Sequence, residues 1–371
     1  MSEAAAFTIG VEEEYQIINP HSRELASKSN KLVDSKQQDG HAQDLFYEMH
    51  RCQVEIDTDV CQTLEEVRRD LTQARHSVIK AAQEHGLAIA AAGTHPFSRW
   101  QRQKITPKDR YYGLNEVLQQ LIRELVIFGC HVHVGIADRE AAVAIVNRTR
   151  LWLPTLLALT ANSPFWAGCD TGYSSYRMEL WCRLPTAGPP PHFSHYADYR
   201  ELIQNLIETK ITDDPTKVYW DIRLSERYPT VEFRVADVCG TVDEAVMYAG
   251  IIRALCQTCY QEFQAEKPYP KIRSEMLKAG LWQAARYGIQ GELIDFSNLR
   301  PVAATDTIQT LLNYIRPALE AHNDWDTVSK QVEHILSKGN SAQRQRQIYE
   351  TKGNYQAVVD YLIEQTMQGI L

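Results

Sequence analysis

The chain has 371 residues, 44% of them hydrophobic, and a formal net charge of −8. That is enough apolar sequence for a substantial core, carries no signature of disorder, and fits one large domain or two ordinary ones. The acidic balance, with no Lys/Arg run, argues against a general nucleic-acid binder.

Ser2–Ala6 is short and acidic, and strand-like sequence follows at once, so no secretory leader is expected. Phe7–Ile18 and Cys52–Thr58 read as strands. From Thr63 to Gly86 the set Leu64, Val67, Leu71, Ala74, Val78 and Ala82 follows helical spacing, and Thr63 with Glu66 forms a capping box at its start. Leu87–Gly93 reads as a buried strand ending in Gly93-Thr94-His95-Pro96. A helix near Leu114–Phe128 leads into a strand at Cys130–Ile136. Asp138 caps the next helix, which Pro154 is expected to kink.

Leu151–Cys169 is uncharged but interrupted by Pro154, Asn162, Ser163 and Pro164, so it predicts a buried helix and turn, not a membrane span. Ala167–His195 is rich in Gly, Pro and Tyr and lacks periodicity, which predicts a long functional loop, often a lid. Val218–Leu224 and Thr230–Val235 predict a hairpin. Beyond them, helices are expected at Thr241–Phe263, Thr305–Leu319, Asp324–Leu336 and Tyr355–Met367.

The irregular mixture of strands and helices, with a hairpin, predicts an α+β fold with a largely antiparallel sheet and a helical C-terminal third. A single domain over 1–371 is expected, with its motifs in 7–263 and helices in 264–371. Neither GxGxxG nor GxxxxGK[ST] occurs, so neither a dinucleotide fold nor a Walker phosphate loop is supported. The eight cysteines follow no disulfide rhythm and suit a reducing cytoplasm. Cys256 and Cys259 form a CxxC, but they share an apolar helical stripe with Ala245, Ala249, Ile252 and Phe263, which favours core packing over chemistry.

Three segments place metal- or phosphate-capable groups at alternate positions of strand-like sequence. In Gly10-Val11-Glu12-Glu13-Glu14, Glu12 and Glu14 share a face, as do His131 and His133 in Gly129–Gly135 and Glu232 and Arg234 in Thr230–Arg234. Residues i and i+2 of a strand lie roughly 6.6 Å apart, a spacing suited to gripping neighbouring atoms of one metal-phosphate cluster. Taken singly, each has a plainer reading: an acidic edge, core histidines, a cross-strand ion pair. Glu48 and Glu55 bracket a further strand-like run, and Glu55 lies between Val54 and Ile56, where a carboxylate needs a cation or donors. Carboxylates with an imidazole are ligands for Mg²⁺ or Mn²⁺ rather than a thiolate zinc site. Arg177, Arg223 and Arg234 add the positive charge that phosphoryl transfer needs.

Together with Gln53-Val54-Glu55, Gly93–Phe97 and Trp220-Asp221-Ile222-Arg223, these motifs occur in the order seen in the type 2 glutamate–cysteine ligase-like proteins. The chain resembles these bacterial carboxylate-amine ligases, related to plant glutamate–cysteine ligase, from about Phe7 to Phe263. The resemblance implies a curved antiparallel sheet of glutamine-synthetase catalytic-domain type, with helices on its outer face and an ATP and metal site on the other. It implies metal ligands at Glu12, Glu14, Glu55, His131 and Glu232, with Glu48 a further candidate. His133 and Arg234 are expected to contact the ATP phosphates, and Arg177 and Arg223 the transferred phosphoryl group or the substrate carboxylate. The implied reaction is ATP-dependent amide formation through an acyl phosphate, from glutamate or another carboxylate and cysteine or another amine. Activity with cysteine is open, because chains of this kind include poor γ-glutamylcysteine formers. A metal-dependent amide hydrolase and a non-catalytic Mg-ATP-binding module remain as alternatives. Small-molecule substrates, no nucleic acid and no membrane are expected, and a homo-oligomer is left open.

Overall fold

A computed structural model describes residues 7–38 and 45–370; the reading of Ser2–Ala6 lies outside them. The alternating polar and apolar residues of Ile9–Ile18 form β1, the centre of a seven-stranded sheet. Phe46–Tyr47 (β2), Gln53–Asp57 (β3), Ala88–Ala90 (β4) and Gly129–Gly135 (β5) follow in the same sheet. Phe165–Trp166 (β6) and Cys169–Asp170 (β7) make a separate short ladder, after which Ile222–Leu224 (β8) and Thr230–Asp237 (β9) complete the main sheet. The strand order is β2-β3-β1-β5-β9-β8, with β4 also paired to β1, and every pairing is antiparallel. The predicted α+β class with an antiparallel sheet is what the chain adopts.

One face of the sheet is covered by helices. The helix Leu64–Glu84 begins at the predicted capping box of Thr63 and Glu66 and turns Val67, Leu71 and Val78 inward. It packs with Val242–Gln264, the longest helix, capped by Thr241. At their crossing Gly250 is needed for close approach: a Cβ there would lie 2.7 Å from Val328 and 2.8 Å from Leu64. Val11 and Tyr15 of β1, Val132 of β5 and Phe233 of β9 join these helices in one buried apolar cluster. Burying each such side chain contributes about 1.5–3 kcal/mol, so this layer fixes the sheet that carries the opposite face.

Several expected elements differ. The single helix expected over Leu114–Phe128 is two, Asp109–Leu118 and Gln120–Glu124, broken where Gln119 takes φ +48°. Pro154 does not kink a helix; it sits in the first turn of Leu153–Thr160, where its missing N–H costs nothing. Ala167–His195 is not a free lid. It contains β7 and the helix Tyr176–Trp181, and Arg150 donates to Pro190 O at 2.9 Å while Asp221 N–H donates to Gly188 O at 2.9 Å. Such stitching satisfies a backbone whose composition alone suggests mobility. The C-terminal third also holds a hairpin, Glu292–Asp295 (β10) and Arg300–Ala303 (β11), and two further helices, Ser274–Tyr287 and Ser341–Lys352. Among the described residues, no helix is long and apolar enough to cross a membrane.

Candidate functional site

The sheet face turned away from the helices lines a cavity of about 530 Å³. Antiparallel register brings the chemistry-bearing residues into direct cross-strand pairs. Glu12 stands opposite His131 and Asp57, Glu14 opposite Glu55, and Glu232 opposite both His133 and Arg223. Opposed side chains on one face lie close enough to share a ligand. All ten residues singled out from sequence line this cavity: Glu12, Glu14, Glu48, Glu55, His131, His133, Arg177, Arg223, Glu232 and Arg234.

Two triads form there. Glu12, His131 and Glu232 converge, as do Glu14, Glu48 and Glu55, with the potential ligand atoms of each triad within 4.8 Å of one another. The second triad is all carboxylate. Burial first, then the charge of Glu48, pushes Glu14 up to about 7, and burial followed by the surrounding carboxylates drives Glu55 well above the usual range. Glu48 rises too, chiefly through burial. The donors facing this cluster are few: Gly129 N–H reaches Glu14 at 2.7 Å, and Met49 N–H reaches Glu48. Three half-buried, converging carboxylates with so few hydrogen-bond donors fit a hard divalent cation bound through oxygen.

The first triad is electrostatically different. Burial raises Glu12, but the hydrogen bond from His131 and the close approach of His133, each 3.0 Å away, outweigh it and hold the carboxyl well below its usual value. Burial and then the charge of Arg234 lower His131 to about 4, which keeps the ring neutral and able to ligate metal. Burial pulls His133 down, yet Glu12, 3.0 Å from its Nε2, raises it overall. His133 Nδ1 also lies 2.9 Å from Thr230 Oγ1. Burial raises Glu232, but Arg234 and Arg223 together overcome it, so the carboxylate stays ionised.

The arginines divide by what they already hold. Arg223 grips Glu232 through Nε (2.8 Å) and Nη2 (3.2 Å), and its Nη1 donates to Thr216 O and Val218 O, each at 2.8 Å. It thereby clamps Glu232 while still lining the cavity. Arg234 donates from Nη1 to Glu232 while its Nε has no partner, so it retains capacity for an anion. Arg177 is almost fully buried beneath Glu14 and Gly129.

Sequence reasoning missed other lining groups. Asp57 follows Glu55 by two positions, so the same alternation points it into the cavity; burial, then the charge of Glu12, pushes it up to about 7. Tyr47, Lys108, Arg110, Tyr111 and the turn residues Arg227 and Tyr228 also line the cavity. Tyr47 comes from the two-residue strand β2 and the others from a turn and a helix start, all too short to carry a periodic signal.

With this geometry in view, the chain matches, over residues 8–361, the family model described as glutamate–cysteine ligase family 2. The chain belongs to that family. A relative from Rhodopirellula baltica, provisionally named glutamate–cysteine ligase 2, is 41% identical over 368 residues, covering 98% of each chain. One from Herpetosiphon aurantiacus with the same provisional name is 41% identical over 364 residues, covering 98% of this chain and 94% of its own. The fold is also that of a glutamate–cysteine ligase from Francisella tularensis solved with AMP, at TM-score 0.73 and 13% identity, covering 98% of this chain and 89% of that one. A bifunctional glutathione synthetase from Pasteurella multocida gives TM-score 0.70 at 14% identity, covering 98% of this chain and 53% of that one. As a member of the family, the protein is an ATP-dependent carbon–nitrogen ligase drawing on ATP and a divalent metal. The hydrolase and binding-module alternatives give way to it.

Proposed function

We propose that the protein joins the γ-carboxylate of glutamate to the amino group of cysteine in the cytoplasm, the whole chain acting as one catalytic unit. The observation that carries this reading is the pair of triads on one sheet face, flanked by Arg234 and His133. Glu12, His131 and Glu232 would hold one divalent cation and Glu14, Glu48 and Glu55 another, with Mg²⁺ or Mn²⁺ preferred by an oxygen-rich set. A divalent cation held there would supply charge neutralisation for the ATP phosphates.

A carboxylate oxygen of the donor attacks the γ-phosphorus of ATP, the bond to the β-phosphate oxygen breaks, and ADP leaves an acyl phosphate. Arg234, with an unpartnered Nε, faces the charge that develops on the transferred group, and His133 hydrogen-bonds beside it. The amine then attacks the acyl carbon, a C–N bond forms, the C–O bond to phosphate breaks, and a proton leaves the nitrogen. No protein nucleophile is required; positioning and fixed charge supply the catalysis.

Hydroxylamine trapping tests this directly. With Mg-ATP and single carboxylic acids, glutamate is expected to give hydroxamate and ADP together. Signal from a different acid would keep the ligase and change its donor. No hydroxamate and no ADP from any acid tested, with folded, metal-loaded protein, would overturn carboxylate activation.

A further inference from the structure

Behind the cavity lies a buried polar hub that neither triad uses. Asp237, at the far end of β9 from Glu232, is completely buried. Its Oδ2 accepts from Asn162 N–H and from Ser163 Oγ, both at 2.7 Å, and its Oδ1 accepts from Ser175 Oγ at 2.8 Å. Two of these partners hold Arg177. Ser175 caps the helix Tyr176–Trp181, in which Arg177 is the second residue, and Ser163 Oγ accepts Arg177 N–H at 3.0 Å.

The guanidinium is constrained as tightly as the backbone. Nη2 donates to Arg234 O at 3.2 Å, Nη1 donates to Val235 O at 3.4 Å, and Nη1 lies 3.9 Å from Asp237 Oδ1. The group occupies space that only glycine leaves open at position 129, where a Cβ would sit 2.3 Å from Arg177 Nη2 and 3.2 Å from His131 Nε2. Trp181 closes the cage, its ring 5.9 Å from Arg177 Cζ and 5.4 Å from Arg234 Cζ. The guanidinium's hydrogen bonds to Arg234 O and Val235 O tie Arg177 to β9, the strand that presents Glu232 and Arg234 to the cavity.

We propose that Asp237 is a positioning residue, which locks the Arg177 helix to β9 through Ser163 and Ser175 and so aims the Arg177 guanidinium at the cavity beside Glu14. This rests on the reading of Arg177 as a group that faces the reacting phosphoryl or carboxylate. A carboxylate accepting three hydrogen bonds around a fixed helix start is a rigid reference point, and a misplacement of about 1 Å at a reacting group costs on the order of 100-fold in rate.

The test is a double-mutant cycle on ADP release and hydroxamate formation, with folding checked by circular dichroism. Asp237→Asn keeps the shape but loses acceptor capacity. It is expected to lower kcat by about 10- to 100-fold while leaving KM for ATP nearly unchanged. In the Arg177→Ala background the same change is expected to cost nothing further, an outcome that a general structural role would not give. Should Asp237→Asn fail to fold, Ser163→Ala removes the hydroxyl that links Asp237 to Arg177 N–H and is expected to show the same vanishing effect. Losses that multiply in the double variant, or a fully active Asp237→Asn, would overturn the positioning role while leaving the ligase reading intact. A fully active Arg177→Ala would remove Arg177 from the site and this inference with it. Only failure of the wild-type hydroxamate assay would reach the proposed function itself.

Discussion

Glu13 differs from Glu12 and Glu14 only in the face of β1 it occupies, yet the two faces treat a carboxylate in opposite ways. On the helix side, Glu13 is wholly buried and meets Arg75 bidentately, at 2.6 Å and 3.0 Å, with the Tyr15 hydroxyl as a further donor. Arg75 spends its remaining capacity on Cys239 O and Gly240 O. On the cavity side, Glu14 meets Glu48 and Glu55, which repel it. A buried charge with a complete set of partners belongs to the architecture, whereas converging like charges without one mark a place for a cation.

The largest effect should come from breaking the satisfied side. Glu13→Gln leaves Arg75 buried without its counter-charge and is expected to cost about 3–5 kcal/mol in denaturant unfolding. Glu55→Gln should do the reverse. It removes one of three mutually repelling carboxylates, so unfolding in EDTA should need as much denaturant as wild type, or more. The same variant should lose hydroxamate formation by on the order of 10²–10³-fold. If the two substitutions destabilise the fold equally, the distinction between the faces collapses.

A smaller effect sharpens the contrast through pH. Glu14 and Asp57 are pushed up to about 7 in the folded protein, mainly by burial, above the value an unfolded chain gives them. The folded state therefore binds more protons than the unfolded state between about pH 4 and pH 7. Without metal, each such group lowers stability as pH rises across that window, by at most about 1.4 kcal/mol per pH unit. A divalent cation in the Glu14, Glu48 and Glu55 triad would displace the proton of Glu14 and, through its charge, favour ionised Asp57. The rise in Tm on adding MgCl₂ should accordingly be larger at pH 8 than at pH 5.5, read by thermal melts against EDTA controls. An increment that stays flat or shrinks with pH would mean that these carboxylates do not bind the ion.

The alternation of Glu12 and Glu14, His131 and His133, and Glu232 and Arg234 was readable because a strand's period of two is a local property. Which strand stands beside which was not. That Glu14 faces Glu55 and Glu12 faces His131 depends on pairings between segments far apart in the chain, set by the core behind them. The same limit explains Arg75, which the helical stripe of Leu71 and Val78 leaves undistinguished until Glu13 is placed against it. Asp57 was within reach, since the rule that selects Glu12 and Glu14 also selects Glu55 and Asp57. Lys108, Arg110 and Tyr111 were not, because tertiary packing alone brings their helix start to the cavity rim. Ala167–His195 misled for a related reason: Gly and Pro erase periodicity, and the partners that immobilise its backbone lie in distant segments.

The smallest effect concerns Cys256 and Cys259, the pair whose spacing resembles a metal motif. Both are buried in the helix Val242–Gln264, on the same side of the sheet as Glu13, and Cys259 Sγ lies 3.8 Å from Tyr314 Oη. Burial pushes Cys259 up to about 12 and Cys256 well above the ordinary thiol range, so neither offers the thiolate that metal binding requires. Replacing both by Ala should cost about 1 kcal/mol per site in unfolding and leave hydroxamate formation within about two-fold of wild type. Zinc titration should give no thiolate charge-transfer absorption that the double variant lacks. A larger loss of activity would mean that the apolar layer transmits more to the cavity than the sheet's two-sided construction implies. Retained activity would place all of the metal chemistry on the face where carboxylates converge.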